Sequence, residues 1–264
     1  MLRSVFGKTL WDQRRALLSA TVAVTAVGVL YAAFHPLVNT PAMRDAMAMF
    51  PPELLEALGM ADIISAAGYL GSTTFGVLGP VLVIIVAAAL GASAIAGDEE
   101  SGRLELTLAH PVSRWSALVQ RFAALVVAML VICAVLAIAL VLISGPADLG
   151  EIGPVNLVAA ALHLALLGII FGALAMSVGA ATGRRGLAYA VVAVVGIVGF
   201  FGNNLGPSLD WLAWLRDVSP FHYYSGGEPL RHGLQVIDLL VLAVVSVAVV
   251  ALGGVAFDRR DVAV

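Results

Sequence analysis

Six apolar stretches free of Asp, Glu, Lys and Arg run through this chain, at 16–34, 73–96, 122–144, 155–181, 186–202 and 239–257. A hydrocarbon core about 30 Å thick is crossed by about 20 apolar residues in helical form, so each stretch has roughly the length of a membrane span. The predicted fold class is therefore all-α: a polytopic membrane protein with six transmembrane helices, forming a single domain over residues 1–264. With 61% of its 264 residues hydrophobic and 12% charged, the chain lacks the composition of a soluble domain. Its net charge of −3 gives no support to a nucleic-acid partner, whereas the lipid bilayer is a partner the spans demand. The lone Cys133 lies in an apolar stretch and rules out an intrachain disulfide.

Basic residues set the orientation. With the N-terminus inside, the inner segments hold Arg3, Lys8, Arg14, Arg15, Arg103, Arg114, Arg121, Arg184, Arg185, Arg259 and Arg260, and the outer ones only Arg44, Arg216 and Arg231. Eleven against three predicts a multi-pass protein of the cytoplasmic (inner) membrane with both termini cytoplasmic. The first apolar run reads as a retained span, since no small-x-small cleavage site follows it. Residues 1–15, "MLRSVFGKTLWDQRR", set Leu2, Val5 and Trp11 among basic residues and predict an amphipathic interfacial helix on the inner side. Two larger segments, 35–72 and 203–238, fall outside; nothing in the first names a role.

The one sizeable inner loop, 97–121, opens with "GDEESGRLELTLAHPVSR". Asp98, Glu99 and Glu100 suit the first turn of a helix, whose dipole favours acid there, so a helix over Asp98–His110 is predicted, with Glu99 and Arg103 as an i,i+4 ion pair. "RLELTL" also alternates like a strand, but a lone strand in a short loop has no neighbour for its hydrogen bonds. Leu104 and Leu108 share one helical face and Leu106 points roughly opposite, which allows two surfaces to be touched at once. Pro111 then ends the helix, and Ser113 is the expected N-cap of the third span. On spacing alone, a solvated connector and a docking helix both fit.

Glu99, Glu100, Gly102, Leu104, Glu105, Leu108, Pro111, Val112, Ser113 and Arg114 carry a resemblance. They match the acidic, Gly-Leu-Glu, Pro-Val-Ser-Arg signature between the second and third spans of type-2 ATP-binding-cassette permeases, and "SPFHYYSGGEPLRHGL", 219–234, is similar to the segment before the last span in the bacterial efflux branch. The resemblance covers essentially the whole chain. It implies a permease subunit of an ATP-driven exporter, whose loop 97–121 holds the coupling helix. Glu99, Glu100, Gly102, Leu104, Glu105, Leu108, Pro111 and Arg114 would be its ATPase-coupling residues, docking on a separate cytosolic ATPase subunit that carries ATP and Mg. A second permease subunit, self or homologue, is also implied. So is an outer re-entrant segment over 203–238, with Pro220, Tyr223, Tyr224, Gly226 and Gly227 as outer gate candidates. Pro220, Gly226, Gly227 and Pro229 interrupt any long helix there, and such backbone at membrane depth must be satisfied by protein or a water-filled cavity. "TLAHP" departs from the pattern, with His110 next to the proline where a more aliphatic run is common.

The chain has no Gly-rich phosphate loop followed by Lys-Ser or Lys-Thr, so no nucleotide, no other cofactor and no catalytic residue is expected on it. The substrate-binding residues are not legible; uncharged spans favour an amphiphilic or lipophilic cargo. An ion-gradient-driven secondary transporter needs ionisable groups within the membrane, and only His163 qualifies, a residue type that more often bonds a neighbouring helix. An intramembrane protease would pair a Ser with a His of another helix, but Ser177 and His163 share the fourth stretch, about 21 Å apart along a helix. His35, His110, His163, His222 and His232 are scattered without ligand spacing, so no metal site is expected. Phe221, Tyr223, Tyr224, Trp211 and Trp214 read as an aromatic belt at the outer interface. Gly168/Gly172 and Gly179/Gly183 permit close helix approach, either inside one subunit or at a dimer seam.

Overall fold

The computed structural model describes residues 4–50, 62–100, 102, 113–205, 211 and 213–260. Among these there is no strand, and six helices are long and apolar enough to cross a membrane: Val5–Val38, Ala66–Glu100, Arg114–Ile143, Pro154–Thr182, Arg185–Asn204 and Val236–Arg259, here spans one to six. Each covers its apolar stretch to within a residue. Most overrun it, because helical backbone bonds persist where polar side chains begin to reach water or headgroups.

Span four is the hub. In its most apolar window 78% of the residues are buried inside the protein, against 17–50% for the other five, and spans two, three, five and six all pack on it. Small residues make this possible: a Cβ on Gly91 of span two would lie 2.2 Å from the Gly172 carbonyl oxygen of span four, so the two backbones touch. Gly168 and Gly172 face Val83, Met129 and Leu125, which places that pair in the packing of one subunit. Gly183 closes span four as a left-handed cap at φ +69°, a conformation that favours glycine. Span one stands apart from the hub and packs chiefly on span three.

The interfacial helix expected over 1–15 is not a separate element. Ser4 caps a single helix, accepting from the Gly7 N–H at 3.2 Å, and this helix runs unbroken to Val38. No proline precedes Pro36, so nothing turns the chain between Leu10 and Ala20. Its 34 residues reach about 51 Å, well beyond a hydrocarbon core, so the basic first turns are an extension of span one. There the Arg14 guanidinium stacks 4.1 Å from the exposed Trp11 ring centroid.

Span two is interrupted twice. After Ala66–Ser72 it widens into a π-turn at Thr74–Leu78, resumes at Gly79–Ala92, widens again at Ser93–Gly97 and ends in Asp98–Glu100. Pro80, which has no N–H, lies two residues past the end of the first π-turn. Gly102 adopts φ +67° and donates its N–H to the Glu99 carbonyl at 3.0 Å. The helix predicted over Asp98–His110 is therefore broken at Gly102, and residues 103–112 lie outside those described. Ser113 caps span three as expected, accepting from the Ser116 N–H at 3.2 Å.

Among the described residues between spans five and six lie three short helices, Ala213–Val218, Pro220–Ser225 and Pro229–His232. Ser219 caps the second and Pro220 starts it, where a missing N–H is harmless. Glu228 at φ +47° and Gly233 at φ +76° turn the chain on either side of the third.

Candidate functional site

Two clusters stand at opposite ends of the bundle. At the basic end, consecutive residues of a helix point about 100° apart, so the triplet closing span two fans its carboxylates toward three different neighbours. Asp98 accepts from Arg121 Nη2 of span three at 2.6 Å, Glu99 from Arg260 just past span six, and Glu100 from Arg185 Nε of span five at 2.5 Å. The Arg185 N–H adds a second bond to Glu100 at 3.0 Å. Arg114, at the start of span three, donates to the Phe257 and Arg260 carbonyls at 3.0 and 2.7 Å, bringing a cation to the C-terminal end of the span six dipole. Arg121 is 5% exposed, whereas Arg185 is 47% exposed, so water screens the Glu100–Arg185 pair and it mainly fixes direction. The triplet thus ties the ends of spans two, three, five and six together.

At the far end, the segment 213–235 covers a cavity of about 450 Å³ lined by the aromatic Phe75, Phe200, Phe221 and Tyr224 and by polar groups that include Asp62, Glu228 and Arg231. An apolar cleft of about 260 Å³ between spans two and five adjoins it through Val77, Phe200 and Phe221. Several polar bonds hold the segment down. Ser219 Oγ donates to the Gly199 carbonyl of span five at 2.8 Å, and Asn156 Nδ2 of span four donates to the Leu230 and Arg231 carbonyls at 3.1 and 3.0 Å. Arg231 pairs with Asp62 and, at 3.4 Å, with Glu228. Tyr224 is buried and its hydroxyl donates to the Phe75 carbonyl of span two at 2.6 Å. Burial pushes its phenol well above the ordinary value, so it remains a donor.

Residues 2–258 match the family model described as the multidrug efflux system permease Rv1217c, C-terminal domain. The chain belongs to that family. No curated protein matches it.

In this efflux permease the residues expected from sequence are distributed unevenly. Glu99, Glu100 and Arg114 have partners inside the membrane domain, and Gly102 makes a left-handed turn. Leu104, Glu105, Leu108 and Pro111 lie outside the described residues. Of the gate candidates, Tyr224 is buried, Tyr223 donates its hydroxyl to the Asp217 carbonyl at 2.9 Å, Pro220 starts the helix, and Gly226 and Gly227 form the following turn. The aromatic belt is reduced: Trp211 and Trp214 are exposed, but Phe221 and Tyr224 belong to the core, where Phe221 packs on Phe171 and Phe200.

His163 bonds back to its own helix, with Nδ1 2.9 Å from the Ala159 carbonyl oxygen, instead of reaching a neighbour. Ser177 is the cross-helix residue, donating to the Val249 carbonyl of span six at 2.9 Å. Asp98, Arg121, Arg185, Arg260, Asn156 and Asp62 escaped the sequence reading as site residues. Their only signal was position: charged or amide groups at the edges of apolar runs.

Proposed function

We propose that this efflux permease is the membrane subunit of a type-2 ATP-binding-cassette exporter, working as a pair with itself or a homologue and with two cytosolic ATPase subunits. The observation that carries this reading is the acidic triplet. The segment that resembles a coupling loop starts from a helix end bonded to spans three, five and six, so force applied to the loop has a direct route into four helices. The chain lacks a phosphate-binding loop, so ATP and Mg belong to the partner. Loop 97–121, with Leu104, Glu105 and Leu108, meets the ATPase, and the basic end is cytoplasmic, as are both termini.

The opposite end is then the outer face of the cytoplasmic membrane. Segment 203–238 dips into it as a re-entrant gate, a reading supported by the buried Phe221, Tyr224 and Leu230. Its cargo is amphiphilic or lipophilic, in keeping with a cavity of aromatic and charged lining that adjoins an apolar cleft.

The test is reconstitution with a candidate cytosolic ATP-binding-cassette ATPase subunit. Efflux of a lipophilic dye is expected to require ATP and to survive collapse of the proton gradient. Loss of efflux on collapsing the gradient, with ATP present, would select an ion-driven carrier instead. Orientation has its own check. In a Cys133→Ser background, Arg184→Cys and His232→Cys, both at exposed positions, are expected to label with an impermeant thiol reagent from opposite sides. Labelling of both from one side removes the six-span orientation.

A further inference from the structure

Span two contains a backbone fault that its own helix cannot repair. In the π-turn, Leu78 N–H reaches the Thr73 carbonyl at 3.4 Å, and Gly79 N–H goes to the Thr74 carbonyl, each five residues back. The next carbonyl in this ladder is Phe75. Its four-back donor, Gly79, is committed to Thr74, and its five-back donor would be residue 80, which is proline and has no N–H. The Phe75 carbonyl is therefore orphaned within its helix by the π-turn and Pro80 together, at a buried position where an unmade hydrogen bond is strongly disfavoured. The Tyr224 hydroxyl, 149 residues further along the chain, supplies the bond at 2.6 Å.

We propose that Tyr224 is the positioning residue that latches the far-end segment shut against span two, and that Pro80 creates the acceptor it needs. Phe75, Gly76 and Val77 of the π-turn line the cavity, and Tyr224 lines it from the segment above. Lifting the segment to widen the exit separates the hydroxyl from the carbonyl, and water entering the widened cavity replaces it. In the shut state the hydroxyl is the group that meets the carbonyl. The bond is thus made in one state and exchanged for water in the other, which gives the gate two discrete positions. The other ties of the segment run to spans four and five and to Asp62, so this contact reports on span two, the helix that ends in the acidic triplet.

The inference rests on the reading of the far end as the exit of an exporter, and its test separates the two. Ala160, 2% exposed and facing the cavity, is changed to Cys in a Cys133→Ser background, and its modification by a small methanethiosulfonate reagent is timed in the reconstituted transporter without nucleotide. Tyr224→Phe removes one oxygen from a side chain of unchanged shape. It is expected to label about tenfold faster, the population shift expected for one lost hydrogen bond. Pro80→Ala supplies an N–H five residues on from the Phe75 carbonyl, in the register that Leu78 and Gly79 follow, so in that background Tyr224→Phe is expected to change the rate by less than about twofold. Pro80→Gly supplies the same N–H if the alanine variant inserts poorly. Parent-like labelling of Tyr224→Phe overturns the latch, and an equal effect of Tyr224→Phe with and without Pro80 overturns the part given to Pro80. ATP-independent transport alongside the expected cycle overturns the exporter reading and leaves the latch standing.

Discussion

Glu105→Lys and Leu108→Asp are each expected to bring transport to background while the protein still inserts and folds. Leu104 and Leu108 are four apart in sequence, with Glu105 between them, in the loop proposed to meet the ATPase. Burying a carboxylate in an apolar contact, or reversing a charge within it, removes about 2 kcal/mol or more of association, about 30-fold in affinity. Pull-down of the ATPase subunit measures this directly. Because Asp98, Glu99 and Glu100 remain bonded to spans three, five and six, the membrane domain should elute from size exclusion as the parent does. Undiminished association and transport in both variants would take the loop out of the mechanism.

The largest effect on stability is expected from Gly91→Leu. Its Cβ would stand 2.2 Å from the Gly172 carbonyl oxygen and 3.0 Å from the Ala175 Cβ, and the first of these is backbone of the most buried helix. No rotamer relieves such a clash, so spans two and four must separate, at a cost of about 3 kcal/mol or more. Thermal unfolding in detergent should show a large fall in Tm and a loss of transport. Gly186→Ala is the matched control, since a Cβ there meets nothing within 4 Å, and it should melt within about 0.5 kcal/mol of the parent. A parent-like melt for Gly91→Leu would mean that the two spans do not meet at these glycines.

Much of the architecture was legible in the chain. An uncharged run of some 20 residues has few alternatives in lipid other than helix, so the six spans followed from composition and length alone. Ser113 was legible as a cap because its chemistry is local, and it does cap span three. Two local readings failed for local reasons. The basic start was given its own interfacial helix although no breaker separates it from span one, and Gly102 was run through as helix although it is the residue best able to leave one.

The two clusters were not legible, for a physical reason that the residues illustrate. A hydrogen bond or ion pair depends on which groups converge in space, and the partners here stand 85 residues apart for Glu100 and Arg185, 161 for Glu99 and Arg260, and 149 for Tyr224 and Phe75. The sequence by itself determined a six-helix membrane protein and the polar edges of its spans. Only the tertiary structure decided that span four is the hub, which arginine each carboxylate meets, and that the Phe75 carbonyl, left without a helical donor by the π-turn, is met by a tyrosine. Hydropathy is a property of each segment read alone, whereas those pairings are set by how the glycine-lined faces of spans two and four allow the helices to approach.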